Sequence, residues 1–306
     1  MTDLKIISMN CRGLAQQHKR RDVLNYLKNQ SADIIFLQET HMTVPLIPYF
    51  DSLWEGKCYH SVKTAKSRGT ATLMKGSLSY ELISQHCSEE GNLVILACKI
   101  NNNKFTLVNL YGPNDDTPSF YRHIEQLLEM HPSENIIIGG DFNFVIDRIN
   151  DSNYEQENNS YAKTAFMNLS EKYSLVDTWR QKHPNERQYT WIKQNPLKYG
   201  RLDMFFTSKH LTNQIRYANI ETGYRTDHCA VSVTLASYNQ ERGPGLWKFN
   251  DSLLEDENYS KLIKTVIIDA IQQYAIPVYT KEYISNPQNF EHIQFTISFN
   301  YNRFIL

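Results

Sequence analysis

The chain has 306 residues, 41% of them hydrophobic and 21% charged, with 32 basic against 33 acidic side chains. This is ordinary for a globular protein, and the length allows one large domain plus an appendage. The net charge of -1 excludes the strongly basic type of nucleic-acid binder while remaining compatible with a local basic face. Five cysteines, odd in number and without a CxxC pair, argue against a disulfide framework or a zinc site. The N-terminus carries charges and no long apolar run, and no stretch reaches the ~18 apolar residues of a membrane helix. The expectation is a protein of the nucleus or cytoplasm, neither secreted nor membrane-bound.

In chain order, residues 4–9 read as a first strand that ends on Asn10. Residues 18–30 place Val23, Leu24 and Leu27 at helical spacing behind a basic opening of Lys19, Arg20 and Arg21. Residues 33–37 are a short apolar run suited to a buried strand, ending in Gln38-Glu39-Thr40. Strands are predicted over 70–74, 93–100 and 105–110, the last running into Tyr111-Gly112-Pro113, and a helix over 119–129. The strand 135–138 stops at Gly139-Gly140, just before Asp141. A polar, Asn-rich loop is expected over 147–160, then a helix over 162–173 and strands over 201–206 and 229–235. In the last of these Cys229, Val231, Val233 and Leu235 alternate with small or polar residues, so one face is buried. Residues 237–245 have linker composition. A helix follows over 259–274, with Leu262, Ile263, Val266, Ile267 and Ile271 on one stripe, and residues 286–306 show little pattern. The expected organisation is a domain over 1–237 and a linker with a partly helical tail over 238–306, the tail dispensable for catalysis. Interleaved strands and helices indicate an α+β class or a layered α/β sandwich.

The chemistry is legible in where polar residues fall. Each apolar strand ends on a polar group that the strand does not need: Asn10, Glu39, Tyr111, then Asp141 and Asn143. Asp203 interrupts an apolar run, and Asp227-His228 opens the final strand. Taken singly, Glu39 reads as a solvated strand end and Gly139-Gly140-Asp141 as a turn. Asp203 is harder to set aside, because a buried unpaired carboxylate is costly and a histidine partner would satisfy it. Acids, amides and a histidine gathered at one edge of a sheet suit a hard cation and a phosphate.

The segments Ile7-Ser8-Met9-Asn10, Leu37-Gln38-Glu39-Thr40, Asn109-Leu110-Tyr111-Gly112-Pro113, Ile138-Gly139-Gly140-Asp141-Phe142-Asn143, Gly200-Arg201-Leu202-Asp203 and Thr226-Asp227-His228 resemble the endonuclease/exonuclease/phosphatase superfamily in order and spacing. Within it, Leu37-Gln38-Glu39-Thr40-His41, Asn109-Leu110-Tyr111-Gly112-Pro113-Asn114, Tyr189-Thr190-Trp191 and the run from Arg242 to Asn250 look like the apurinic-like endonuclease of LINE-type retrotransposons, a lineage shared with exonuclease III and abasic-site endonucleases. The resemblance implies an α+β fold, a four-layer α/β/β/α sandwich of the DNase I-like type. It implies a monomeric, Mg²⁺-dependent catalytic domain, with Mn²⁺ able to substitute, that nicks DNA.

On the same resemblance Glu39 is the main metal ligand, with Asn10 and Asp227 beside the metal. Asp141 activates or positions the attacking water, and Asn143 and Tyr111 donate hydrogen bonds to the phosphate. Asp203 orients His228, whose charged form stabilises the phosphorane. Thr190 and Arg12 fall on the substrate side. Arg12 stands where the repair enzymes carry an acid, which puts efficient abasic-site cleavage in doubt. Three other readings share these residues: an abasic-site or 3'-5' exonuclease of the repair branch, a phosphatase on the same fold, and a catalytically silent DNA-binding remnant of a mobile element.

Overall fold

Residues 2–154, 159–238 and 255–274 are described by the structure, a computed structural model. The first half runs β1 (Thr2–Asn10), α1 (Gln17–Asn29), β2 (Ile34–Gln38), α2 (Ile47–Ser52), β3 (Gly56–Ser61), β4 (Thr70–Lys75), β5 (Tyr80–Cys87), β6 (Leu93–Ile100), β7 (Asn103–Tyr111) and α3 (Pro118–Met130). The second runs β8 (Asn135–Asp141), α4 (Arg148–Asp151), α5 (Ser160–Lys172), β9 (Leu175–Asp177), α6 (Thr178–Lys182), β10 (Trp191–Lys193), β11 (Lys198–Gly200), β12 (Asp203–Ser208), β13 (Ile215–Glu221), β14 (Ala230–Tyr238) and α7 (Glu257–Tyr274).

Two six-stranded mixed sheets form, ordered β13-β14-β1-β2-β4-β3 and β5-β6-β7-β8-β12-β9. The reason lies in strands such as β2, whose Ile34 and Phe36 face one way and Ile35 and Leu37 the other. A strand apolar on both faces must be covered on both. One face of each sheet meets the other sheet: Ile6, Ile34, Phe36 and Val233 share a core with Leu96, Leu107, Ile137 and Phe205. The outer face of the first sheet packs under Val23, Leu24 and Leu27 of α1, and that of the second under α3 and α5. There Phe166 lies edge-to-face with Phe142 and Phe206, at ring-centroid separations of 4.8 and 4.7 Å. The result is the four-layer α/β/β/α sandwich expected from the resemblance.

β3, β5 and β13 were not among the expected strands. Each lies at a sheet edge and carries polar residues that break the apolar run, as in Tyr80–Cys87 with its exposed middle. The expected loop over 147–160 is corrected in part: Arg148–Asp151 is a short helix, capped by the Asp147 carboxylate, which accepts from the Ile149 and Asn150 N–H groups. Asp151 itself is completely buried. It meets Arg201 in a two-pronged pair, Nε to Oδ1 at 2.8 Å and Nη2 to Oδ2 at 2.7 Å, and also accepts from Arg180. Arg201 reaches Asp177 as well and lies over the Trp179 ring.

By internal contacts the chain divides into two compact units, Met1–Trp247 and Lys248–Leu306. In the second, α7 matches the expected helix and exposes Leu262, Val266 and Ile268. The expected linker falls mostly outside the described residues, and residues 286–306 wholly so. Among the described residues no helix is long and apolar enough to cross a membrane.

Removing one member of a buried ion pair strands the other charge away from water. Asp151→Ala should therefore cost roughly 3–5 kcal/mol of stability, measured by urea unfolding. A loss under about 1 kcal/mol would mean the network is no stronger than a surface pair.

Candidate active site

Strand register assembles the site. β7 and β8 run parallel and bring Tyr111 opposite Asp141, and β12 returns antiparallel with Asp203 opposite the same Asp141. In the other sheet, β1 and β2 run parallel and bring Asn10 opposite Gln38, one residue before Glu39. β14 runs antiparallel to β1 and starts just after His228. Ends of parallel strands and beginnings of antiparallel ones thus meet at one edge of both sheets. Close approach there needs glycine: a Cβ on Gly140, whose φ is +148°, would stand 1.9 Å from the Leu110 carbonyl oxygen.

Buried amides join the sheets beneath this edge. The Gln38 amide donates to Ser8 Oγ at 3.0 Å and across the interface to Asn109 Oδ1 at 2.8 Å. Asn109 in turn donates to the Ala71 carbonyl at 2.9 Å. Asn10 Nδ2 donates to Glu39 Oε1 and to Asp141 Oδ2, each at 2.9 Å. One side chain thus links the two carboxylates.

Above lies a cleft of about 560 Å³, walled by Glu39, His41, Tyr111, Asp141, Asn143 and His228 and rimmed by basic side chains including Arg12, Lys66, Arg68 and Lys163. Arg12, Glu39, His41 and Asn143 all have φ between +48° and +56°. Side-chain-bearing residues rarely adopt that conformation, and it clusters at functional sites.

Asp203 and His228 form a buried pair, Oδ2 to Nδ1 at 2.8 Å, with His228 Nε2 3.9 Å from Asp141 Oδ2. Burial works against the imidazolium, but Asp203, then Asp141 and Asp227, overcome it and raise His228 to about 10. Asp141 moves up out of the carboxylate range, through burial and the charge of Asp203, against the pull of His228 and the Asn10 hydrogen bond. Glu39 goes the other way. Burial opposes its ionisation, yet hydrogen bonding from His41, Asn10 and Tyr111 outweighs this and holds it at about 2. Tyr111 is pushed up by burial and by Glu39 and Asp141, so it keeps its proton.

The donors fit a hard divalent cation on the Glu39 side. Glu39 is ionised and faces the cleft, as does Asp227, whose Oδ1 is buried without a hydrogen-bond partner; Asp203 Oδ1, also unpartnered, belongs instead with Asp141 and His228, whose ligand-type atoms lie within 4.8 Å of one another. Asn10 offers less, since its Oδ1 accepts the Arg12 N–H at 2.9 Å. Asp227 Oδ2 is paired with Arg12 Nη1 at 3.0 Å. The Asn143 amide donates to the Gly112 carbonyl at 2.7 Å, which fixes its direction. The expectation for Thr190 is corrected. It is wholly buried, and its hydroxyl accepts from the Leu202 and Asp203 N–H groups at 2.9 Å, while its carbonyl takes the Cys229 N–H at 2.6 Å. It holds the backbone at Leu202, Asp203 and Cys229 and has no surface left for a substrate. His41, Gln38 and Asn109 had no role in the sequence reading. Polar residues inside apolar strands were the available sign for the last two.

A two-sheet sandwich that gathers a proton-bearing His–Asp pair, an ionised carboxylate and a tyrosine at one polar edge defines an enzyme working on phosphoesters. The chain belongs to the Endonuclease/Exonuclease/phosphatase family, which it matches over residues 7–228. It is 29% identical over 266 residues to the Transposon TX1 uncharacterized 149 kDa protein of Xenopus laevis, covering 85% of this chain. The chain spans only about 20% of that protein's length. It is 27% identical over 256 residues to an exodeoxyribonuclease of Bacillus subtilis, covering 76% of this chain and 99% of that one. Among solved structures, the AP endonuclease LMAP of Leishmania major shares the fold with a TM-score of 0.66 at 20% identity, over 77% of this chain and 88% of that one. The 3' phosphatase NExo of Neisseria, bound to a product DNA hairpin, does so with a TM-score of 0.61 at 19% identity, over 76% of this chain and all of that one.

A raised histidine stabilises the fold fully below its ordinary 6.5, and that contribution is lost as pH climbs through about 10. Nitrogen NMR of the His228 ring should therefore show imidazolium at pH 8, and Asp203→Asn should shift its titration downward. A neutral ring at pH 8 in the unaltered protein would refute the pairing argument.

Proposed function

We propose that this chain is a divalent-metal-dependent endonuclease that nicks DNA by hydrolysing a phosphodiester, as a retrotransposon-type member of its family. The observation that carries this reading is the convergence of Asp141 with the Asp203–His228 pair opposite Glu39 in one basic-rimmed cleft. Glu39, with Asp227 and Asn10 nearby, would hold Mg²⁺, or Mn²⁺ in its place, and the bound ion would supply charge neutralisation at the phosphoryl oxygens. The rest is done by side chains. Asp141, with its raised proton affinity, is suited to take a proton from the attacking water. The imidazolium of His228 faces the same place and stabilises negative charge as it builds on phosphorus-bound oxygen. Tyr111 keeps a proton to donate to a phosphate or leaving oxygen, and Asn143 stands beside it.

Arg12 is 65% exposed and tied to Asp227 by a surface-type pair that costs little to break. It is free to exchange that carboxylate for a phosphate oxygen. The retrotransposon reading draws support from the Xenopus relative, whose alignment covers more of this chain than the family match does. The Bacillus and Leishmania relatives favour a second reading, cleavage at abasic sites or from a 3' end. Arg12, a cation where the repair enzymes carry an acid, weighs against it.

Purified protein should nick supercoiled plasmid with Mg²⁺ and stop in excess chelator. It should incise an abasic oligonucleotide weakly by comparison and leave inositol phosphates intact. Nicking that survives chelation would remove the metal from the mechanism, and selective abasic incision would move the protein to the repair reading. His228→Ala and Asp203→Asn should each lower turnover by about two orders of magnitude or more. The double variant should lose little beyond either single one, because a pair acts as a unit. Losses that multiply would show the two residues working independently.

A further inference from the structure

A second set of metal-type donors stands outside the cleft. β3 is an edge strand, and Cys58 and His60, two residues apart on it, leave the same face. The short helix α2 lies against that strand and ends with Asp51 and Ser52. Asp51 Oδ1 stands 2.7 Å from His60 Nε2, and the donor atoms of Asp51, Cys58 and His60 all lie within 4.8 Å of one another. The His60 side chain is 6% exposed and meets Phe50 edge-on at 5.2 Å, while Asp51, at 43%, opens one side to solvent. His60 Nδ1 is buried without a partner, so among the described residues the ring's only hydrogen bond is to this cluster. None of the three residues lines the cleft.

We propose that Asp51, Cys58 and His60 bind a thiophilic divalent cation, zinc first, with solvent completing a fourth position. Thiolate, imidazole and carboxylate are the donors zinc takes, whereas Mg²⁺ demands oxygen. This site therefore differs in chemistry from the Glu39 side of the cleft. Tetrahedral bonds of about 2.0–2.3 Å set donors roughly 3.3–3.6 Å apart. The Asp51–His60 contact has to open by about 0.6 Å to reach that spacing.

Without an ion, Asp51 alone accepts from both neighbours, and burial beside it pushes the Cys58 thiol well above its ordinary range. Binding replaces two protons with the metal: the thiol proton goes to solvent, and the proton on His60 Nε2 moves to Nδ1, the ring nitrogen without a partner. Cysteine spacing gives no warning of such a site, because it uses one cysteine and draws its third donor from a different element. An ion there would pin α2 to the edge strand of the first sheet.

Cobalt(II) chloride added to the full, reduced chain tests this directly. Thiolate-bound tetrahedral cobalt gives a near-ultraviolet charge-transfer band that an oxygen-bound ion in the cleft does not. One equivalent should produce the band, and zinc chloride should abolish it by displacement. Cys58→Ser should lack it, and Asp51→Asn, at an exposed position, should weaken binding at least about tenfold. Glu39→Gln should leave the band unchanged. Zinc should raise the melting temperature of the unaltered chain and not that of Asp51→Asn. A missing band in the unaltered chain, or one that persists in Cys58→Ser, overturns the proposal.

Discussion

Two carboxylates facing each other in the interior of a protein need a cation between them, and here it is an imidazolium. Asp141 and Asp203 are directly opposed in neighbouring strands and almost fully buried. Lost hydration and the charge of Asp203 drive Asp141 toward its neutral form. His228 touches Asp203 with one nitrogen and faces Asp141 with the other. Much of the surrounding architecture fixes this arrangement. Thr190 holds the backbone at Leu202, Asp203 and Cys229, and Arg201, adjacent in sequence, is locked by Asp151 and Asp177. Buried polar side chains that look redundant to the chemistry are what keep the three charged groups in register.

The cleft divides its acids by environment. Hydrogen bonds hold Glu39 ionised under all ordinary conditions, whereas burial and repulsion lift Asp141 toward neutrality. Separating titratable groups in this way is how one pocket keeps a permanent anion for charge balance and a second group able to take up a proton. Asn10 links the two, donating to both, and so ties the position of one carboxylate to that of the other.

Central strands were legible because both their faces are buried. Residues 93–100 form a strand with the expected bounds, and residues 4–9, 33–37 and 135–138 differ from the observed strands only by a few residues at their ends. Edge strands were not, because one row of their backbone groups and much of their side-chain surface meet water, which permits a composition like that of a loop. The cleft-lining groups were readable for a related reason: a polar residue ending an apolar strand stands out. What could not be read was the support behind them. Thr190 is an ordinary residue in a polar stretch, and Asp151 sits in an Asn-rich segment that gives no hint of complete burial. Their partners, Asp203 and Arg201, lie 13 and 50 residues away along the chain. Such pairings are set by tertiary structure alone.

The left-handed backbone at Arg12, Glu39 and His41 bears on how this protein would age. Each of these residues holds a conformation that costs a side-chain-bearing residue roughly 1–2 kcal/mol, and glycine or asparagine would relieve part of it. The site therefore works against the fold, and a change to glycine or asparagine at these positions relaxes the backbone even as it removes the side chain. A gene under no selection for cutting could lose its cleft residues one after another and still encode a well-folded sandwich. Folding is thus a poor witness to activity in this architecture.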